Sequence, residues 1–335
     1  MKLASLPHGR DGRLVVVSDD LAWYADAGHI VPTLQGLLDD WDRHFPLLQA
    51  LATDMAHEAI PLNRFHEREA AAPLPRAFQW VDASTYLNQM ELASKASGTE
   101  LPANYLTEPM MYQGGSDDMR AARDALVLSD EAWGADLEAE VVVVTGDVPQ
   151  GVSAAQALDH VRLVGLVNDV TLRNLTPAER AKGYGFIQSK SASYFSPVFV
   201  TPDALGGAWH DGVLHRTMMV DVNGQPFGRL EAGEDCAFGF GALIAHLART
   251  RRIGAGTIIG SGAVSNRGKD GSPGLAVAEG GRGYGCLAER QLVEKILHGA
   301  VKTPLLHHGD SLRIEMRDEH GHSIFGAIEQ TVTAE

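Results

Sequence analysis

The stretch WGADLEAEVVVVTGD, residues 133–147, constrains the fold more than any other part of the chain. Val141 to Val144 form an unbroken run of β-branched residues, which suits a buried strand. Glu138 and Glu140 sit two apart at the head of that run, and side chains on a strand alternate faces, so both acids project to one side. Two like charges side by side repel, and burying either is costly without a partner. A solvated edge strand would tolerate the pair, but the valines argue against full solvation. The fold must offer that face either water or a positive charge.

The rest of the composition narrows the possibilities. At 335 residues, and with a prior of about 150 residues per domain, roughly two domains are expected. A formal net charge of -15 argues against nucleic-acid phosphates or an anionic membrane as the main partner. Cys236 and Cys286 are the only cysteines, far apart and without CxxC spacing, so reduced, packed thiols are expected. The opening MKLASLPHGRDGRLVVV lacks the long apolar run of a signal peptide. No stretch approaches the roughly 20 apolar residues of a membrane span. The cytoplasm is the expected location.

Residues 1–76 read as a small opening unit of α/β type. GRDGRLVVVSDD is a turn, a strand and a turn, and the segment from Thr33 to Ala59 has apolar residues at helical spacing, interrupted by Pro46. AAAPLPRAF looks like a linker. Beyond it, residues 77–335 form a glycine-rich domain of short strands and few helices, of which SAAQALDHVRLVGLV and GFGALIAHLART are the best candidates. The fold class is therefore α+β, mainly β.

Several motifs carry less than they suggest. GAGTIIGSG, residues 254–262, has its apolar run between the glycines rather than before them, so it does not predict a dinucleotide-binding turn. There is no GxSxG elbow and no HExxH. The pairs His307–His308 and His320–His322 sit in polar, turn-like surroundings and are expected at the surface. The acids carry more. A hard divalent cation such as Mg²⁺, Mn²⁺ or Ca²⁺ takes carboxylate oxygens and offsets the repulsion between Glu138 and Glu140. LVGLVNDVTLRNL offers Asp169 as a third ligand at the end of another apolar run, with Arg173 following.

Five blocks in order, LEAE (137–140), NDVTLR (168–173), GFIQSKSASYFSPVFV (185–200), GTIIGSGAVSN (256–266) and HGDSLRIEM (308–316), resemble the fumarylacetoacetate hydrolase superfamily. The resemblance implies a mixed β-roll catalytic domain behind a small N-terminal domain, a homodimer, and a divalent metal, most often Mg²⁺, Mn²⁺ or Ca²⁺. It matches Glu138, Glu140 and Asp169 to the metal carboxylates and adds Asp82 as a fourth. It matches Lys190 to the lysine that stabilises a developing enolate, Arg173 to that lysine's partner and Tyr112 to a tyrosine at the substrate's distal end. Glu289 falls where the family places the acid that orients its catalytic histidine. The implied chemistry is cleavage of a carbon–carbon bond in a β-diketo acid, the leaving carbon departing as an enolate, with a diketo or 2-oxo acid as the small-molecule substrate.

Three positions depart from the pattern. Gln89 stands where the water-activating histidine belongs, seven residues after Asp82, and an amide cannot take a proton near neutrality. Ala263 replaces a threonine that helps hold a substrate carboxylate, and Thr176 replaces a glutamine beside the oxyanion. Gln89 admits a hydrolase that uses Glu289 or a metal-bound hydroxide instead, a hydrolase disabled by substitution, and an isomerase, decarboxylase or dehydratase that needs no activated water. A catalytically silent metal-binding relative is a further reading. The glycine-rich segment 267–285 reads as a surface loop or as a cover for the substrate.

Overall fold

The computed structural model describes residues 1–334. The valine run lies in the strand Ala139–Thr145, every residue of which is buried. Val141 and Val143 join one apolar cluster with Val164 and Leu166, while Val142 and Val144 join a second with Trp80, Phe195 and Phe199. Burial on both faces explains why the apolar residues run without alternation. The strand pairs antiparallel with Val161–Asn168 on one side and with Ile258–Gly260 on the other. Beyond Ile258–Gly260 come Trp80–Ala83, in parallel, and then Met111–Gln113. Neighbouring strands thus carry Tyr112, Asp82, Gly260 and Glu140, and Asp169 follows directly after Asn168.

These strands belong to a twelve-stranded sheet that also takes in the opening unit. Lys2–Leu6 pairs antiparallel with Phe199–Val200 and with Arg13–Val17. A second, five-stranded sheet is built around Thr217–Val222, Gln225–Glu231, Ser311–Met316 and Ile328–Thr333. The two sheets and the few helices give the α+β, mainly β architecture that the composition of the segments predicts.

Two helical expectations change. The opening helical segment breaks at Asp40, whose backbone leaves the helical region, and Pro46 lies inside the second helix, Trp41–Ala56. Near that helix's start a proline forfeits a single hydrogen bond, to the Asp42 carbonyl. SAAQALDHVRLVGLV is helical only over Ala154–Ala157 and a following turn, and from Val161 it is a strand. Its β-branched residues favour the sheet, where both faces of the strand are buried, and Gly165, poor in a helix, leaves room for the Phe199 ring. GFGALIAHLART does form a helix, Phe240–Leu247. In GAGTIIGSG, Ile258–Gly260 is a strand and no helix follows the glycines. Among the described residues, no helix is long and apolar enough to cross a membrane.

Candidate metal centre and active site

Asp82, Glu140 and Asp169 converge, each offering an oxygen within 4.8 Å of the others, and none is more than 4% exposed. Glycine makes the approach possible. Gly260 lies opposite Val142 in the sheet, and a Cβ there would fall 2.5 Å from both Asp82 Oδ1 and the Trp80 ring, and 2.9 Å from Glu140 Oε2. Gly262, at φ +80°, donates its N–H to Asp82 Oδ1 (3.1 Å) and to Glu140 Oε2 (3.2 Å). Gly260→Ala is expected to cost about 1–3 kcal/mol through overpacking and to weaken metal binding by about tenfold or more. Denaturant titration and Mn²⁺ titration of the variant check this.

The cluster is short of positive charge. Glu140 Oε1 is buried with no hydrogen-bond partner. Burial, together with the charges of Asp82 and Asp169, holds the Glu140 carboxyl well above the usual range. Burial and the charge of Asp169 push Asp82 up to about 7. An all-oxygen set of buried, mutually repelling carboxylates with an orphaned oxygen fits a hard divalent cation.

Asp169 is held from three directions. Tyr112 donates its hydroxyl to Oδ2 (2.5 Å), Ser193 donates to Oδ1 (2.7 Å) and Lys190 Nζ donates to Oδ2 (2.6 Å). Lys190 also donates to Glu138 Oε2 at 2.6 Å, and Arg173 Nη2 donates to Glu138 Oε1 at 2.6 Å. Burial alone would raise Glu138, but the charges of Lys190 and then Arg173 hold it at about 2. Both oxygens of Glu138 are therefore on cations, and it stands outside the three-acid cluster. The Tyr112 ring has Lys190 over its face, 5.3 Å from the centroid, and Phe186 against it edge to face.

A second buried group lies between the helices Leu87–Ser97 and Leu287–His298. Glu289, 1% exposed, accepts from Ser265 Oγ at 2.6 Å and from Asn88 Nδ2 at 3.4 Å, both on Oε1. Its Oε2 is buried and unpartnered, and burial pushes the carboxyl up to about 7. Gln89 donates to Cys286 Sγ at 3.3 Å. The neighbouring Asn88 also turns its amide to Glu289, and Gln89 lies close enough to help hold that carboxyl down against the effect of burial.

A family profile described as fumarylacetoacetate (FAA) hydrolase C-terminal matches residues 81–333. The chain belongs to the fumarylacetoacetate hydrolase family. A second profile, fumarylacetoacetase N-terminal domain 2, matches residues 1–76. Among solved structures, maleylpyruvate hydrolase of Sphingobium sp. SYK-6, in complex with manganese (II) ion and pyruvate, is 16% identical. It superposes at a TM-score of 0.64, covering 100% of this chain and 99% of that one. A fumarylacetoacetate hydrolase of Exiguobacterium antarcticum is 17% identical, with a TM-score of 0.64 and full coverage of both chains. At such identity these structures speak for the fold alone. A 2,4-didehydro-3-deoxy-L-rhamnonate hydrolase of Sphingomonas sp. (strain SKA58) is 34% identical over 103 residues, 30% of this chain and 35% of that protein. The chain spans less than half the length of the curated relatives it matches.

Within this family member, the two remaining expected residues make no side-chain hydrogen bond to the cluster, although Ala263 directly follows Gly262. Ala263 is buried after the strand Ile258–Gly260, and the Thr176 hydroxyl bonds back to the Leu172 carbonyl (3.4 Å). Sequence reasoning missed Asp136, Ser193, Gly262, Asn88 and Ser265. Asp136 had a signal, since it extends the alternation of Glu138 and Glu140 by one step. The loop 267–285 is tied to the Gln89 helix by Arg267, which donates to Glu91 (2.7 Å) and to Asp235 (3.1 Å). The paired histidines are at the surface, His307 and His308 against Glu131 and His322 against Asp318.

Proposed function

We propose that this protein is a metal-dependent hydrolase cleaving the carbon–carbon bond of a β-diketo acid of acylpyruvate type. One observation carries the reading: a buried ammonium, Lys190, is locked between Glu138 and Asp169 at the margin of the three-acid cluster. Asp82, Glu140 and Asp169 would hold the cation, Mg²⁺ being the first expectation and Mn²⁺ or Ca²⁺ alternatives. Family resemblance counts Glu138 among three metal carboxylates, with Asp82 as the fourth; because both oxygens of Glu138 are engaged by cations, we assign it instead to the setting of Lys190. The cation supplies Lewis-acid polarisation of the dicarbonyl unit.

The chain's own residues supply the rest. Water adds to the acyl carbonyl and loses its proton to Glu289, whose elevated affinity for protons suits a base working near neutrality. The carbon–carbon bond then breaks, releasing a carboxylic acid and an enolate of pyruvate. Lys190 donates to the enolate oxygen, and Arg173 holds the geometry through Glu138. Protonation of the enolate carbon gives pyruvate, the keto acid bound in the manganese complex of the Sphingobium relative.

Gln89 favours a second reading. A neutral amide turned toward Cys286 leaves the water without the usual base, so isomerisation, decarboxylation or dehydration of a 2-oxo acid on the same metal site is the alternative. A catalytically silent metal-binding relative is the third. Incubating the Mg²⁺- or Mn²⁺-loaded protein with a panel of acylpyruvates, and following loss of the enol absorbance, separates them. Turnover by the parent supports the hydrolase. Turnover only in Gln89→His identifies a disabled one, whereas enol–keto exchange without cleavage in either supports the isomerase-type reading. No reaction of any kind favours the silent relative.

Glu289 adds a pH test. Its unfolded-state value near 4.5 and folded value of about 7 mean the unfolded chain ionises first. Stability therefore falls as pH rises from about 4.5 to 7, by on the order of 3 kcal/mol, while base-dependent cleavage rises through about pH 7. Glu289→Gln is expected to flatten the cleavage profile and to lessen the slope of the stability profile, leaving the share that Asp82, also held at about 7, contributes. Retained pH dependence of cleavage in that variant would rule Glu289 out as the base.

A further inference from the structure

One fully buried charge has no task in that chemistry. Asp136 is 0% exposed and lies in the two-residue strand Ala135–Asp136, paired with Thr171–Leu172. Its Oδ1 accepts the Leu287 N–H at 2.7 Å, and its Oδ2 accepts the Ala288 N–H at 3.0 Å. Both amides open the helix that carries Glu289, and the first N–H groups of a helix have no partner within it. Oδ2 also receives Arg173, from Nε at 2.8 Å and Nη2 at 2.7 Å.

From Arg173 the charges alternate without a gap. Arg173 Nη2 reaches Glu138 Oε1, Glu138 Oε2 takes Lys190 Nζ, and Lys190 reaches Asp169 Oδ2, each at 2.6 Å. We infer that Asp136 is a positioning residue, fixing Lys190 through Arg173 and Glu138 and registering it against the helix that bears Glu289. The proton-accepting and charge-stabilising halves of the site thereby keep one spacing. This inference rests on the roles given above to Lys190 and Glu289.

Helix capping alone does not account for Asp136. Cys286 already occupies the cap position, its Sγ accepting the Glu289 N–H at 3.4 Å. A neutral serine or asparagine satisfies free helix amides without burying a charge. Only a carboxylate both takes those amides and fastens a guanidinium by two of its nitrogens.

The test is Asp136→Asn in the full chain, loaded with Mn²⁺. The variant's amide oxygen can still accept from the helix, while its NH₂ turns against Arg173. Oxalate, a planar dianion shaped like the enolate of pyruvate, is the binding probe, measured by calorimetry. Mn²⁺ affinity is expected to stay within about threefold, because the ligand cluster does not touch Asp136. Oxalate affinity, and kcat on the acylpyruvate the parent turns over fastest, are expected to fall about tenfold or more, with KM little changed. Arg173→Lys keeps the charge but cannot span Asp136 and Glu138, so it is expected to give the same pattern and decides the matter should Asp136→Asn not fold. Oxalate affinity and kcat both equal to the parent's would overturn the assignment. An oxalate effect in a parent that cleaves no diketo acid would overturn the hydrolase reading and leave Asp136 its role.

Discussion

Glu140→Ala is expected to abolish stoichiometric binding of Mn²⁺, weakening it by more than about 100-fold. Glu140 is the central carboxylate of the cluster, completely buried, with one oxygen sharing the Gly262 N–H with Asp82 and the other bonded to nothing. Such a carboxyl is tolerated either protonated or beside a cation, and the alanine removes a proposed ligand. In the metal-free protein the effect on stability runs the other way. Glu140 stands among Asp82, Asp169 and Glu138, whose charges all oppose its ionisation, so the alanine relieves repulsion that the lost packing only partly offsets. Thermal unfolding with and without Mn²⁺ reads both consequences. The parent's midpoint should rise with the metal and the variant's should not move. Unchanged Mn²⁺ binding would sink the metal assignment. Glu138→Gln is the companion, and it should still bind one Mn²⁺ because its carboxylate is spent on Lys190 and Arg173.

Lys190→Met carries the largest expected effect on both folding and chemistry. The side chain is 8% exposed, and its ammonium sits between two carboxylates at 2.6 Å. Methionine fills similar space but leaves Glu138 with Arg173 alone and Asp169 with two hydroxyls. Breaking a buried ion pair from one side destabilises by about 3–5 kcal/mol, because the remaining charge has no compensation. On turnover the loss is of the order of 10²–10³ in kcat, the scale on which removing one preorganised oxyanion donor acts. Chemical denaturation and steady-state kinetics on the Mn²⁺ form measure the two separately. A variant as stable as the parent would mean that Lys190 is not the charge that makes the cluster's margin tolerable.

Much of this site was legible in the sequence, for a physical reason. Acids on a strand of valines contradict their surroundings, and a contradiction of that kind points to chemistry. The spacing of Glu138 and Glu140 gave their shared side, and Asn168–Asp169 closed a second apolar run in the same way. Side-chain partners were not legible. Family resemblance set Gln89 beside Glu289, but it could not show that the preceding Asn88 also turns its amide to that carboxylate while Gln89 donates to Cys286. Likewise, nothing in LEAE tells which glutamate meets a cation of the protein and which is left for a metal. That depends on Lys190 and Arg173, which lie more than thirty residues downstream and arrive only through the sheet. The segment 153–167 misled because an apolar run broken by glycine fits either period, and neighbours on both faces decide between them.

The strand Lys2–Leu6 has a meaning for anyone who would trim this protein. A piece beginning near Trp80 would retain every residue of the site and so look self-sufficient. Yet Phe199–Val200 would lose Lys2–Leu6, the strand that covers its outer margin. An uncovered sheet margin recruits other chains. The opening segment is therefore expected to seal that margin against self-association, and a piece cut away from it to be a sticky fragment.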